Sequence, residues 1–103
     1  MPAKFSDPGD RLVFLLRHPL RKQLLVLYVK EGGALSPKEL ADYTKEPLVN
    51  VSLHVRVLRD HGAVSLVKTR EARGAVEHFY KATSFVDEVP WARAALGLGG
   101  EAA

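Results

Sequence analysis

"LVNVSLHVRVL", residues 48–58, carries two incompatible patterns at once, and its reading decides the fold. Val49, Val51, Leu53, Val55 and Val57 alternate with Asn50, Ser52, His54 and Arg56, which is the period of a half-buried strand. Leu48, Val51, Val55 and Leu58 also fall at the spacing of one helical face. The flanks separate the two. A strand would begin abruptly after Pro47 and run through Arg59-Asp60-His61 with no turn signal. A helix has a start at Pro47, a stop at Gly62 and a length of about four turns. Residues 47–61 therefore read as a helix, against the propensity of their β-branched side chains. Leu48, Val51, Val55 and Leu58 form its inward face. Val49, Leu53, Arg56 and Val57 fall on or near the opposite one, with Asn50 and Ser52 at its edges.

That outward face has two explanations. Val49, Leu53 and Val57 can pack on another helix or a dimer partner. Alternatively, the face enters a DNA major groove, where apolar side chains meet thymine methyls, Ser and Asn bond base edges, and Arg reads guanine or phosphate. The neighbouring segments favour the second. Upstream, "SPKELADYT" has Ser36 as N-cap, Pro37 at the first helical position and Glu39 two residues further on, a complete capping box for a short helix. Downstream, two strand-like runs, 63–69 and 75–82, flank a polar loop "REARG" that carries Arg70 and Arg73. In the first run Val64, Leu66 and Lys68 alternate against Ser65, Val67 and Thr69. A short helix, a turn, a second helix and a basic-tipped hairpin is the order of a winged helix-turn-helix.

Two further helices precede this unit. Asp7-Pro8 is an N-cap followed by a first-turn proline, and the helix it opens, about 7–17, carries Leu12, Val13, Phe14, Leu15 and Leu16, more than one buried face can absorb. His18-Pro19 breaks it. "PLRKQLLVLYVKEGG" restarts at Pro19, turns Leu20, Leu24, Leu27 and Tyr28 inward, and closes at Gly32-Gly33. The chain ends with "SFVDEVPWARAALG", an expected helix over about 84–97, followed by a frayed tail at 98–103. The two over-apolar terminal helices suggest a two-fold dimer interface through Phe14, Leu15, Trp91 and Leu96. The fold class is mainly α with a small β-hairpin, in the order α-α-α-α-β-β-α, as one domain over 1–97.

Composition bounds the rest. The 103 residues are 47% hydrophobic and 26% charged, the balance of an ordinary globular domain. Apolar runs are far shorter than a membrane span, and "MPAKFSDPGD" has no signal-peptide core, so a cytoplasmic location is expected. Cysteine is absent, which removes disulfides and thiolate metal sites. The net charge of +3 is uneven: residues 1–81 hold 14 Lys/Arg against 9 Asp/Glu, while residues 82–103 hold Arg93 against Asp87, Glu88 and Glu101. The basic excess lies in the body, where a polyanion would bind.

"PLR" at 19–21, "SPKELA" at 36–41, "VSLHVRVLRDHGAV" at 51–64 and "RGAVEHFYKAT" at 73–83 together resemble the ArsR-type (arsenical-resistance-repressor-like) transcriptional regulators, the last of them in the manner of an actinobacterial-type branch. The resemblance spans about residues 19–83. It implies a dimeric winged-helix repressor, joined through its first and last helices. It puts Val49, Asn50, Ser52, Leu53 and Arg56 against DNA, Lys45 and the N-terminus of the same helix against phosphate, and Arg70 and Arg73 in a neighbouring minor groove. Lys68 becomes a backbone contact. The metal-binding cysteines of many such proteins are missing. His18, His54, His61 and His78 lie on different elements without ligand spacing, so neither a metal nor a cofactor is expected, and a small-molecule effector stays open. His54 reads as a hydrogen-bonded packing residue at the core-side edge of its helix.

No nucleophile–base pair, paired carboxylate at helical spacing or phosphate-cradling glycine loop is present, so an enzyme is not expected. The sequence reads as a homodimeric DNA-binding regulator, with helix 47–61 in the major groove and the wing 69–75 at the minor groove. The alternative is a winged-helix interaction module that uses the apolar outward face of the same helix to bind protein.

Overall fold

The computed structural model describes residues 7–99, so the tail expected at 98–103 lies largely outside the described residues. Four helices come first: α1 Pro8–Leu15, α2 Pro19–Glu31, α3 Pro37–Thr44 and α4 Leu48–Asp60. A hairpin of β1 Val64–Ala72 and β2 Ala75–Ala82 follows, then a 3₁₀ turn Ser84–Glu88 and a short helix α5 Ala92–Ala95.

Local signals set most of these limits. The Asp7 carboxylate accepts from the Asp10 amide at 3.1 Å, and Pro8 stands in the first turn of α1. Gly32 closes α2 in the left-handed region at φ 72°, which a glycine enters without a Cβ clash. In α3 the capping box is complete: the Glu39 amide donates to Ser36 Oγ at 3.1 Å, and the Ser36 amide donates to Glu39 Oε1 at 3.0 Å.

The segment 48–58 is helical. Val51, Val55 and Leu58 have essentially no exposed surface, and they pack with Leu12, Leu15, Leu24, Leu25, Tyr28 and Leu40 into one core. Each buried side chain of this size contributes about 1.5–3 kcal/mol, enough together to override the weak helix propensity of a valine-rich run. Leu48, expected inward, is half exposed: it stands at the first helical position and lines a surface hollow with Lys38, Ala41 and Asp42 of α3. In α2, Leu24, Leu25 and Tyr28 are fully buried, while Leu20 and Leu27 sit at the core's margin.

A buried arginine makes the corner between α1 and α2. Arg21 donates from Nε to the Leu15 carbonyl and from Nη2 to the Phe14 carbonyl, both at 2.9 Å, and its guanidinium lies 4.9 Å from the Phe14 ring. These carbonyls lie in the last turn of α1, where that of Phe14 also accepts from the Arg17 amide at 3.3 Å, and the side chain caps α1 from the next element.

The hairpin differs from its sequence reading in two respects. Its strands run on through residues 70–72, and the turn is Arg73-Gly74 alone, at φ 53° and 81°, the two positive values of a type I′ turn. Val67 is a bulge between the pairs Leu66–Tyr80 and Lys68–Phe79. Tyr80 and Phe79 are successive and point to opposite faces, so Leu66 and Lys68 do too, and the expected alternation breaks there.

The C-terminal segment is not one helix over 84–97. It breaks at Val89-Pro90 because proline cannot supply a helical amide, leaving a 3₁₀ turn and a single turn of α5. Phe85, Val86, Val89, Ala92 and Leu96 all bury against the chain's own core. Among the described residues no helix is long and apolar enough to cross a membrane.

The two faces of α4 predict opposite responses to truncation. Leu58→Ala should cost about 2–5 kcal/mol of unfolding free energy, and Val49→Ala less than about 0.5 kcal/mol. Urea denaturation followed by circular dichroism measures both.

Candidate nucleic-acid interface

The side of α4 away from the core carries Val49, Asn50, Leu53 and Arg56, all exposed, with Ser52 half-buried at the edge. Val49 is 73% exposed, a value that no packing within the chain explains. Val57, expected outward, is half-buried against the core margin. No side chain caps the start of α4, so its first amide groups present positive partial charge outward. Lys45 stands just before that end, in the left-handed region at φ 62°, in the turn of residues 45–47 that joins α3 to α4.

Between α4 and the hairpin runs an open groove of about 860 Å³. Ser52, Arg56 and Arg59 line it from α4, Lys38 from α3, and Arg70, Arg73 and His78 from the hairpin. Glu77 is the one acidic residue on its wall. Of its five cationic side chains, Lys38, Arg59 and Arg70 pair with Asp42, Asp60 and Glu77, which leaves Arg56 and Arg73 without an ion-pair partner among the described residues and gives the groove a basic lining. Lys38, Arg59 and Glu77 were not singled out by the sequence reading. Arg59 was within reach of it, since it follows Arg56 by three residues on the same helix.

The wing is anchored at its base. Leu35 and Tyr80 exchange both backbone hydrogen bonds at 2.8 and 3.0 Å, and the Tyr28 hydroxyl donates to the Leu35 carbonyl at 3.0 Å. On one face of the hairpin, Lys68 Nζ and the Arg70 guanidinium cover the ring of the buried Phe79, 4.9 and 5.2 Å from its centre. These are cation–π contacts that fix both charges along the strand.

Arg70 and Arg73, expected together at a loop tip, are separated. Arg73 occupies the turn itself. Arg70 lies within β1 and its Nη2 donates to Glu77 Oε1 at 2.8 Å. Two residues expected at a dimer face, Leu15 and Leu96, are buried in the chain's own core and have no surface to offer a partner. Phe14 is half-buried and stacks on His61 with ring centres 4.9 Å apart. Trp91 is 42% exposed and lies beside α1, where a Cβ on Gly9 would sit 3.7 Å from its ring. Val13, one turn beyond Gly9 on the same helical face, is also exposed. The apolar excess of the terminal elements thus emerges as a smaller patch around Trp91 and Val13.

His54 is buried at the back of α4, but its Nδ1 has no hydrogen-bond partner among the described residues, which corrects the expectation of a hydrogen-bonded packing histidine. Its ring meets that of His18 with centres 4.1 Å apart, a pairing no sequence spacing disclosed. Among the described residues no cluster of three or more metal-ligating side chains occurs.

No protein-family model matches this sequence, and no curated protein sequence does. Solved structures do match. HlyU from Vibrio cholerae shares 24% identity at a TM-score of 0.61, over 94% of this chain and 92% of that one. The transcriptional regulator HlyU from Vibrio vulnificus shares 22% at 0.59, over 87% and 81%. An ArsR family transcriptional regulator shares 18% at 0.58, over 93% and 90%. The fold is a winged helix-turn-helix. At these identities the likeness concerns the backbone, and the chemistry of the groove belongs to this chain's own residues.

Burial first, then the neighbouring His18 and Arg21, hold the His54 imidazole below its ordinary value. The unfolded chain takes up a proton at this residue near pH 6.5 and the folded chain only at lower pH, so the stability this neutral histidine contributes is complete above about pH 6.5 and is lost as pH falls. Asp60 and Glu77, held below their ordinary values chiefly by hydrogen bonds from Arg59 and from Ser36 with Arg70, add an acid loss only below about pH 4.5. The urea midpoint should therefore fall between pH 7 and 5, and His54→Gln should flatten that dependence.

Proposed function

We propose that this protein is a sequence-specific DNA-binding transcriptional regulator that acts as a homodimeric repressor in the cytoplasm. The observation that carries the reading is the shared groove: Ser52, Arg56 and Arg59 of α4 and Arg70 and Arg73 of the wing flank one basic groove beside the outward face of the helix. With α4 in a major groove and Arg73 at the adjoining minor groove, the sugar-phosphate backbone between the two runs along that basic groove. Asn50, Ser52 and Arg56 then meet base edges, Val49 and Leu53 meet thymine methyls, and Lys45, Lys38 and Lys68 meet phosphates. Arg73, at the tip of the turn, is the residue suited to a narrow A·T-rich minor groove. Two such units bind half-sites about one helical turn apart, and repression follows from covering a promoter.

The exposed patch of Val13 and Trp91 supports the dimer. A second reading has one observation in its favour: Val49 and Leu53 are more apolar than most recognition helices, as is the 71% exposed Tyr43 nearby on α3. Under that reading the α4 face binds a protein.

Fluorescence anisotropy with duplexes tiled across the DNA upstream of its own gene, beside a scrambled control over a salt series, separates the two. One tile should bind tighter than the control by about 1,000-fold or more, with affinity falling as salt rises. Arg56→Ala should relax preference at one base position at a cost of about 1–3 kcal/mol, and Arg73→Ala should reduce the salt slope by about 1. Under the protein-binding reading both variants match the wild type. In sedimentation, Trp91→Glu should shift the dimer to monomer and lower the affinity for the full site.

A further inference from the structure

A carboxylate on a basic groove wall opposes the binding of an anion there, and Glu77 is the one acidic side chain lining this groove. It is held there from two directions. Ser36 Oγ donates to Glu77 Oε2, and Arg70 Nη2 donates to Glu77 Oε1 at 2.8 Å. Ser36 is fully buried and takes part in the capping box of α3, so the carboxylate is held from the buried side of the groove wall. The Glu77 side chain is only 16% exposed, whereas that of Arg70 is 62% exposed. The guanidinium therefore faces outward on a covered anchor. It also lies over the Phe79 ring, which fixes its plane.

An arginine has five N–H donors in a rigid fork, and Glu77 engages Nη2, so donors remain for an outside acceptor. A free arginine on a wing can reach any nearby phosphate; one clamped at Nη2 and stacked on a ring can serve only an acceptor that arrives along one line. We propose that Glu77 is a positioning residue: through the relay Ser36–Glu77–Arg70 it presents Arg70 as a fixed fork to the DNA lining the groove, and so determines specificity at a point the recognition helix does not reach. The relay also ties that fork to the N-terminus of α3, so the wing arginine and the helix-turn-helix engage DNA in one register. This role rests on the DNA-binding reading above.

The test is a double-mutant cycle with the intact chain, on the preferred tile and the scrambled duplex. Glu77→Gln keeps an oxygen for Ser36 and removes the charge that holds Arg70. Arg70→Lys keeps the charge and removes the fork, at a side chain that is 62% exposed, and the urea midpoint checks that the variant is folded. Each single variant should lower the ratio of specific to scrambled affinity about tenfold, within what one well-placed fork contributes, and the double variant should lower it no further. Glu77→Gln should also strengthen binding to the scrambled duplex and steepen its salt slope by about 1, since a freed arginine finds a phosphate. Parallel strengthening on both duplexes, with the ratio unchanged, would mean that Glu77 contributes only its charge and would overturn the proposal. Additive losses in the double variant would overturn it too. Where the wild type discriminates and both singles match it, only the positioning role falls. A wild type that discriminates no tile from the control removes the DNA-binding reading itself and this proposal with it.

Discussion

Val51, Val55 and Leu58 are packed into the core with α2 and α3, and that anchorage determines what the molecule presents to its surroundings. A helix rich in valine is a poor helix by itself, because β-branched side chains lose rotamer freedom against the preceding turn. Here the burial of one face offsets that cost. The same burial leaves the opposite face, with Val49, Asn50, Leu53 and Arg56, rigidly outward and unable to fold back. Under the DNA-binding reading proposed above, such a face must be held from behind, since base contacts tolerate little displacement of the side chains that make them. The His18–His54 pair and the Arg21 cap lie in this same supporting layer, behind the helix that faces outward.

The wing is the second part, and its base joins the helices by the burial of Val64 and Tyr80 in the core as well as by polar bonds. The backbone exchange between Leu35 and Tyr80 fixes its base, and the Val67 bulge turns the strand so that Lys68 and Arg70 share the Phe79 ring. A two-stranded hairpin alone is marginal in water. Seated on the loop before α3, it becomes the far wall of the groove, with Arg70 and Arg73 opposite Arg56 and Arg59 of α4.

At the termini the apolar excess divides. Leu12, Leu15, Phe85, Val86, Val89 and Leu96 complete the core, and Pro90 shortens the last helix so that the segment folds against α1. Val13 and Trp91 stay outside on one side, far smaller than the face that two fully apolar helices would offer.

The sequence by itself determined the element order, the caps at Asp7, Ser36 and Gly32, the helical reading of residues 48–58 and the sides of that helix on which Val51 and Val49 fall. All of these are local: a cap involves residues three apart, and a helical face repeats within a turn or two. Most of the candidate site was legible for the same reason, since Asn50, Ser52, Leu53 and Arg56 follow from periodicity once the helix is accepted. Only the tertiary structure decided that Arg70 belongs to Glu77 and not to the loop tip, that Ser36 reaches a carboxylate 41 residues away, that His18 meets His54, and that Leu15 and Leu96 turn inward. Those outcomes depend on a bulge, a backbone bridge and a proline break whose effects reach across the chain. A local pattern states which side of an element is apolar, and only the packing of the whole states what that side meets.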